Sequence, residues 1–273
     1  MLKNIKEYVI DKKDELREVI RKLPKAPVLA IIQVGNVDAS NRYVKHKIKD
    51  CEEVGIITKY IHFEDTISEY DLLLKINQLN KDPSIHGFIV QMPLPKHIRE
   101  YKIMEAISPM KDVDGFSRSA KVNPGTPQGI IDYLEYCGFD FNDKNAVVIG
   151  RSRIVGAPMS RLLLNHNCNV RIIHSKTSPK NRRIALYGAD LIVSATGHRN
   201  TLIDEDCIFA NPGCIIIDVG INVNDEGKLC GDCENLTALE KTPVPGGCGL
   251  LTRVTLLSSL LKLYKMQCET CED

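Results

Sequence analysis

Tyr43 and Lys47 stand four residues apart in a stretch with helical spacing, so both project from one face. A lysine becomes a useful base when burial lowers its pKa, and a neutral hydrogen-bond partner helps to hold it in that state. Gln91 follows the apolar run 87–90, which reads as a buried strand, and α/β folds place ligands at the carboxyl ends of strands. Asp112 and Asp114 lie in Lys111-Asp-Val-Asp-Gly115. Paired acids in such a turn-rich segment can be turn residues or helix caps. In the segment 242–249, Thr-Pro-Val-Pro-Gly-Gly-Cys-Gly, rigid proline precedes flexible glycine. Such a loop can bring the backbone of Pro245, Gly246 and Gly247 close to a flat ligand, or act as a hinge. A tyrosine and a lysine at this spacing are also common as surface decoration.

A second chemistry appears at residues 146–158. Ala-Val-Val-Ile-Gly150 followed by Arg151-Ser152-Arg-Ile-Val155-Gly156-Ala-Pro reads as strand, tight turn and helix start. Backbone amides at such a helix end can meet phosphate, where the helix dipole also favours negative charge. The pattern is not G-x-G-x-x-G: Ser152 occupies the middle glycine's place and the last glycine comes one residue late. Folds that prefer NAD usually carry an acid about 20 residues beyond the glycines to hold the ribose hydroxyls. Here the next strand ends in His174-Ser175-Lys176-Thr177, without an acid. A hydroxyl and cations suit a 2′-phosphate better, so the expected cofactor is NADP, and Arg151 can point at the same place.

These residues need a scaffold, and the patterning supplies one. Helices are expected over 2–23, from a cap at Ser40 to Val54 with Gly55 beyond, over 68–79, 127–137, 156–165 and 182–187, and from a cap at Thr252 onward. Strands are expected over 27–34, 58–63, 86–91, 146–150, 169–174, 191–194 and 214–219. Alternating strands and helices imply parallel sheets covered on both faces. The expected domain boundary lies within 118–126.

The 273 residues suffice for two ordinary domains. A 43% hydrophobic and 26% charged composition is that of a globular chain. The net charge of +1 gives no bulk attraction to nucleic acid or to an acidic membrane surface. No apolar run reaches the ~18–20 residues of a membrane helix. The amphipathic, acid-containing amino terminus resembles neither a signal nor a transit peptide, so the expected location is the cytoplasm. The basic run 180–183 reads as solvated surface. Among ten cysteines, Cys230/Cys233 and Cys268/Cys271 have metal-like spacing, but free thiols are the better reading and no metal is expected.

Taken together, the sequence resembles the bifunctional methylenetetrahydrofolate dehydrogenase/cyclohydrolase family over nearly its whole length. The resemblance is carried in order by A-S-N-R-Y-V-K-H-K (39–47), V-Q-M-P-L-P (90–95), K-D-V-D-G-F (111–116), G-R-S-x-I-V-G-A-P-M (150–159), D-V-G-I-N (218–222) and T-P-V-P-G-G (242–247). It implies two α/β domains: a folate-binding catalytic domain, 1–117 plus a C-terminal helix 252–273 that returns to it, and a Rossmann-like NADP-binding domain, 118–251. It implies NADP-dependent oxidation of 5,10-methylenetetrahydrofolate and hydrolysis of the methenyl product to 10-formyltetrahydrofolate. It further implies a homodimer, with folate in the cleft between the domains.

By the same resemblance Lys47 is the active-site lysine, Gln91 tunes it, Tyr43 stacks on the aminobenzoyl ring and Asp114 binds the pterin, with Pro245, Gly246 and Gly247 lining the substrate. Gly150, Arg151, Ser152, Val155, Gly156, Ser175, Thr196, Gly197 and Ile221 form the expected cofactor set. The chain departs from the family at Cys248, Leu250 and Leu251, where V-G-P-M is usual, so the loop is expected to lose rigidity with its proline. Gly125 replaces a common cysteine, and the usual amino-terminal D-G-K run is missing. A dehydrogenase without hydrolase activity is the runner-up. A nucleotide-binding regulator without turnover would leave the lysine, glutamine and aspartate unexplained.

Overall fold

The computed structural model describes residues 1–269. Its elements are α1 (Ile5–Ile20), β1 (Val28–Val34), α2 (Asp38–Val54), β2 (Ile57–Phe63), α3 (Glu69–Lys81), β3 (Gly87–Val90), α4 (Glu100–Ala106), α5 (Gly125–Tyr136), β4 (Asn145–Ile149), α6 (Gly156–Asn165), β5 (Asn169–Ile173), α7 (Pro179–Leu186), β6 (Leu191–Ser194), α8 (Asp204–Cys207), β7 (Ile215–Asp218), β8 (Asn222–Val223), β9 (Leu229–Cys230), β10 (Glu240–Lys241) and α9 (Cys248–Glu269). By internal contacts they form two compact units, one of Ile10–Gly125 with the chain from Arg253, the other of Thr126–Thr252 with Met1–Val9.

In the first unit β1 lies between β2 and β3, all parallel. Its centre is closed by Ala30, Ile32, Phe88 and Val90 against Leu72 and Ile76 of α3 and Ile103 of α4. Each of these side chains larger than alanine contributes about 1.5–3 kcal/mol through burial. α3 starts where Ser68 Oγ accepts from the Asp71 amide at 3.0 Å. α2 ends at Gly55, whose φ of 87° suits glycine. From Arg253 onward α9 belongs to this unit. A Cβ on Gly87 would come 2.8 Å from Leu260 Cδ1, and Gln267 Nε2 donates to the His86 and Met110 carbonyls at 2.7 and 2.9 Å.

A buried ion cluster ties α1, α2 and α9 together. Asp50, 1% exposed, accepts from Arg253 Nε at 2.5 Å and Nη2 at 2.7 Å, and from Lys13. Burial alone would raise the Asp50 pKa, but the hydrogen bonds from Arg253 and Lys13 outweigh it and hold the carboxyl below its ordinary range. A depressed folded-state pKa gives stability that is present above the unfolded carboxyl value, about 3.9, and is lost as pH falls through the folded value. Asp50→Ala is therefore expected to cost about 3–5 kcal/mol. Urea unfolding at pH 7 and pH 3 checks this: the gap between wild type and variant should narrow at the lower pH.

In the second unit five parallel strands run in the order β10-β7-β6-β4-β5. Val147, Ile149, Ile192 and Ile216 pack with Leu186 and Leu202 in the core. The chain leaves β4 for β5 on one side and reaches β6 on the other, so the carboxyl end of β4 is a topological switch point. Met1–Val9 join this unit through Tyr8, whose ring lies 5.7 and 5.0 Å from those of Tyr133 and Tyr136, and through Lys3 Nζ donating to the Tyr136 carbonyl at 2.7 Å.

Several expected boundaries move. Ser40 is buried within α2, whose amino end is Val37 without a side-chain cap. Thr252 is no cap either: its hydroxyl donates back to the Cys248 carbonyl at 2.8 Å inside α9. Leu250 and Leu251 lie in the first turn of α9, which begins at Cys248. The short α4, α8, β8, β9 and β10 had no expectation at all.

Candidate active site and nucleotide pocket

α2 follows β1 and Gln91 follows β3, so the side chains of Lys47 and Gln91 converge at the carboxyl end of the first sheet. The Gln91 amide continues the ladder, donating to the Ile32 carbonyl at 2.8 Å. Its Nε2 donates to the Met92 carbonyl at 2.7 Å, which turns Oε1 towards Lys47 Nζ at 3.2 Å. The ammonium also lies 5.2 Å from the centre of the Tyr43 ring, held by the four-residue spacing on α2.

Asp112 and Asp114 divide the two readings of their turn. The segment at Lys111–Asp112 runs beside β3, with the Phe88 amide donating to the Lys111 carbonyl at 2.9 Å. Asp112 is buried and accepts from the amides of Gly115 and Ser117 at 3.0 and 2.8 Å, so it holds the turn. Asp114 is half-buried and faces Lys47 electrostatically. Burial outweighs their mutual attraction: the Lys47 pKa is lowered and that of Asp114 raised. Four expected residues, Tyr43, Lys47, Gln91 and Asp114, are thereby brought to one place in one unit. Pro245, Gly246 and Gly247 belong to the other unit, in the loop between β10 and α9.

The nucleotide pocket sits at the switch point of the second sheet. It encloses about 390 Å³ and is lined after β4 by Gly150, Arg151 and Ser152, after β5 by His174, Ser175 and Thr177, and after β6 by Thr196, His198 and Thr201. Gly150 has φ of 115°, and a Cβ there would run into the Ala195 carbonyl oxygen. A Cβ on Gly156 would come 2.5 Å from the Gly150 carbonyl oxygen. The turn is thus folded on itself, with Ser152 Oγ accepting from the Val155 and Gly156 amides at 3.2 and 3.3 Å. Among the expected cofactor residues Gly150, Arg151, Ser152, Ser175 and Thr196 line the pocket. Val155 and Gly156 build the turn beneath it. Ile221 is 67% exposed outside that lining.

Arg182 corrects the reading of 180–183 as solvated surface. It lines the pocket, pairs with Asp206 at 2.8 Å and donates to the Thr201 carbonyl at 2.5 Å. His198 and Thr201 were also missed, because they reach the pocket from an irregular segment with no periodicity to place them. The described cysteines are all free, and Cys271 lies outside the described residues. Among the described residues no group of three or more histidine, cysteine and acidic side chains could hold a metal ion. No described helix is long and apolar enough to cross a membrane.

The residues that hold these features match two family descriptions in succession. Residues 2–114 match the catalytic domain of tetrahydrofolate dehydrogenase/cyclohydrolase, and residues 124–268 its NAD(P)-binding domain. The chain is 45% identical over 251 residues to the bifunctional protein FolD of Albidiferax ferrireducens, covering 86% of this chain and 85% of that one. It superposes with a TM-score of 0.91 on the crystal structure of the bifunctional methylenetetrahydrofolate dehydrogenase/cyclohydrolase FolD from Campylobacter jejuni, at 38% identity and 98% and 99% coverage. The Trypanosoma brucei dehydrogenase-cyclohydrolase, solved with NADP and an inhibitor, superposes at 0.88 with 27% identity and 98% coverage of both chains.

Proposed function

The chain belongs to the tetrahydrofolate dehydrogenase/cyclohydrolase family, and on that footing we propose that Lys47 is the catalytic group of its hydrolytic step. The protein is a bifunctional enzyme. It oxidises 5,10-methylenetetrahydrofolate with NADP and hydrolyses the 5,10-methenyl product to 10-formyltetrahydrofolate. The observation that carries the residue assignment is the buried Lys47 ammonium 3.2 Å from Gln91 Oε1.

The methenyl product is a cation, so water attack on it needs little electrophilic help but does need a proton acceptor. A lysine whose pKa is lowered by burial can take that proton, and Gln91 holds its nitrogen without adding a charge. Tyr43 stacks on the aminobenzoyl ring, and Asp114 accepts hydrogen bonds from the pterin's amino-pyrimidine edge. The pocket of the second unit would hold NADP, with the amino end of α6 taking its pyrophosphate. Arg151 and Ser175 would hold its 2′-phosphate, and Gly150, Ser152, Val155, Gly156, Thr196, Gly197 and Ile221 would complete the set. NADP supplies the hydride acceptor; the protein's part is to hold and orient. We assign folate chemistry to residues 1–117 with the C-terminal helix from 252, and cofactor binding to residues 118–251, which accords with the family matches over 2–114 and 124–268.

Mixing the protein with methylenetetrahydrofolate and NADP, and following NADPH and methenyltetrahydrofolate together, tests the pair of activities. NADPH should rise while the methenyl signal stays low. Methenyl accumulating in step with NADPH would leave a dehydrogenase alone.

The enzyme works in the cytoplasm as a homodimer. Its uniformly free described cysteines suit a reducing compartment. The dimer reading is supported by β5, an edge strand of the larger sheet, where Ile172 is 47% exposed, with Ile184 and Tyr187 exposed at 57% and 72%. Ile172→Asp with Tyr187→Asp is expected to halve the mass measured by light scattering. A wild-type mass of one chain would sink the dimer.

A further inference from the structure

Two buried aspartates outside the expected site frame one wall of the nucleotide pocket. Asp232, 0% exposed, lies between β9 and β10. Its Oδ2 accepts from Ser194 Oγ at 3.1 Å, from the Thr196 amide at 2.7 Å and hydroxyl at 2.9 Å, and from the Gly197 amide at 3.3 Å. Its Oδ1 accepts from Asn222 Nδ2 at 3.0 Å, and its carbonyl from the Thr201 amide at 2.8 Å. Asp218, 2% exposed, in turn accepts from the amides of Asp232 and Cys233 at 2.9 and 2.8 Å. Glycine flanks both acids because nothing larger fits. A Cβ on Gly220 would run into the Asp232 carboxylate, and one on Gly231 into that of Asp218.

We propose that Asp232 is a positioning residue for NADP: it sets the wall made by Thr196 and Thr201 and anchors Asn222 beside Ile221. This rests on the reading of that pocket as the cofactor site. The amides of Thr196 and Gly197 already donate to Asp232, so what the wall offers the cofactor is its shape and the groups left over. An asparagine at 232 keeps an oxygen for Ser194 and the Thr196 and Gly197 amides but removes the charge that strengthens those bonds, and its amide nitrogen meets Asn222 Nδ2, a donor, until that side chain turns over. Lys47, Gln91 and Asp114 belong to the other unit, so hydrolysis does not pass through this frame.

The test is Asp232→Asn beside wild type, with three readouts: the Kd for NADP by calorimetry, the KM for NADP in oxidation, and hydrolysis of supplied methenyltetrahydrofolate without cofactor. Kd and KM are expected to rise about tenfold or more, in line with loss of a charge-assisted network, while hydrolysis stays within about twofold. Ser194→Ala, which deletes one donor to Asp232 and little volume, should raise the NADP Kd by a smaller factor, and it carries the test if Asp232→Asn does not fold. Unchanged NADP Kd in a folded Asp232→Asn, or hydrolysis falling in proportion to oxidation, would overturn the proposal. A wild type that binds no NADP would instead overturn the reading of the pocket.

Discussion

Replacing Lys47 with methionine is expected to lower methenyltetrahydrofolate hydrolysis by roughly 10²–10⁴-fold, the range in which positioned acid–base groups act. Methionine keeps the length and apolar stem of the side chain, so the buried site 5% exposed at Lys47 stays filled. What goes is the nitrogen 3.2 Å from Gln91 Oε1. Arginine separates two roles, since it preserves the cation but does not give up its proton. Hydrolysis restored by Lys47→Arg would show that charge, and not proton acceptance, is what the position supplies. In the wild type, burial lowers the Lys47 pKa, and the neutral base gains population as pH rises through that lowered value. Hydrolysis at saturating substrate should therefore climb with pH and level off. The charge of Asp114 raises the Lys47 pKa against that burial, so Asp114→Asn should move the climb to lower pH. A climb that does not move, or moves upward, would uncouple the two groups.

The second large effect concerns the other activity. Gly150→Ala is expected to reduce NADP-dependent oxidation by roughly 10²-fold, the scale of a displacement of about 1 Å at a reacting centre. The glycine sits at φ of 115°, where a side chain is strained by about 1–3 kcal/mol, and the added methyl would meet the Ala195 carbonyl oxygen. Relief requires β4's turn or the segment after β6 to shift, and both line the pocket. Hydrolysis of supplied methenyltetrahydrofolate should persist, because Tyr43, Lys47, Gln91 and Asp114 belong to the other unit. Oxidation at the wild-type rate would show that the turn tolerates the change and that its glycine is not required.

What was legible in the sequence followed from signals with a period or a cap. The runs at β1, β3, β4, β6 and β7 are continuous and apolar because parallel strands are buried on both faces, and all five were placed within about two residues. Gly55 and Ser68 marked helix ends through their own chemistry. The Tyr43–Lys47 spacing could be read because α2 keeps helical geometry across it. Ser40 misled, since a serine in the first turn of a helix looks like one that precedes it. β8, β9 and β10, two residues each, have no room for a pattern. Arg182 looked like one cation in a basic run, and only the return of the chain at Thr201 and Asp206 shows its partners. Asp232 was invisible for the same reason: its hydrogen-bond donors lie 10 to 38 residues away.

The stretch of α9 from Arg253 is the last part of its unit in chain order, and the whole of Thr126–Thr252 comes before it. During synthesis from the amino end, β3 emerges with the face at Gly87 that awaits Leu260, and Asp50 emerges without Arg253. The intervening unit is made in full before either partner exists. The unit of Ile10–Gly125 is therefore made, all but its last helix, before the intervening segment and yet is finished after it, and its nascent form exposes apolar surface and one half of a buried ion pair. Contacts so distant in sequence slow folding and lengthen exposure to aggregation. In a cell-free translation arrested at residue 252, the unit of Ile10–Gly125 should be the protease-sensitive one.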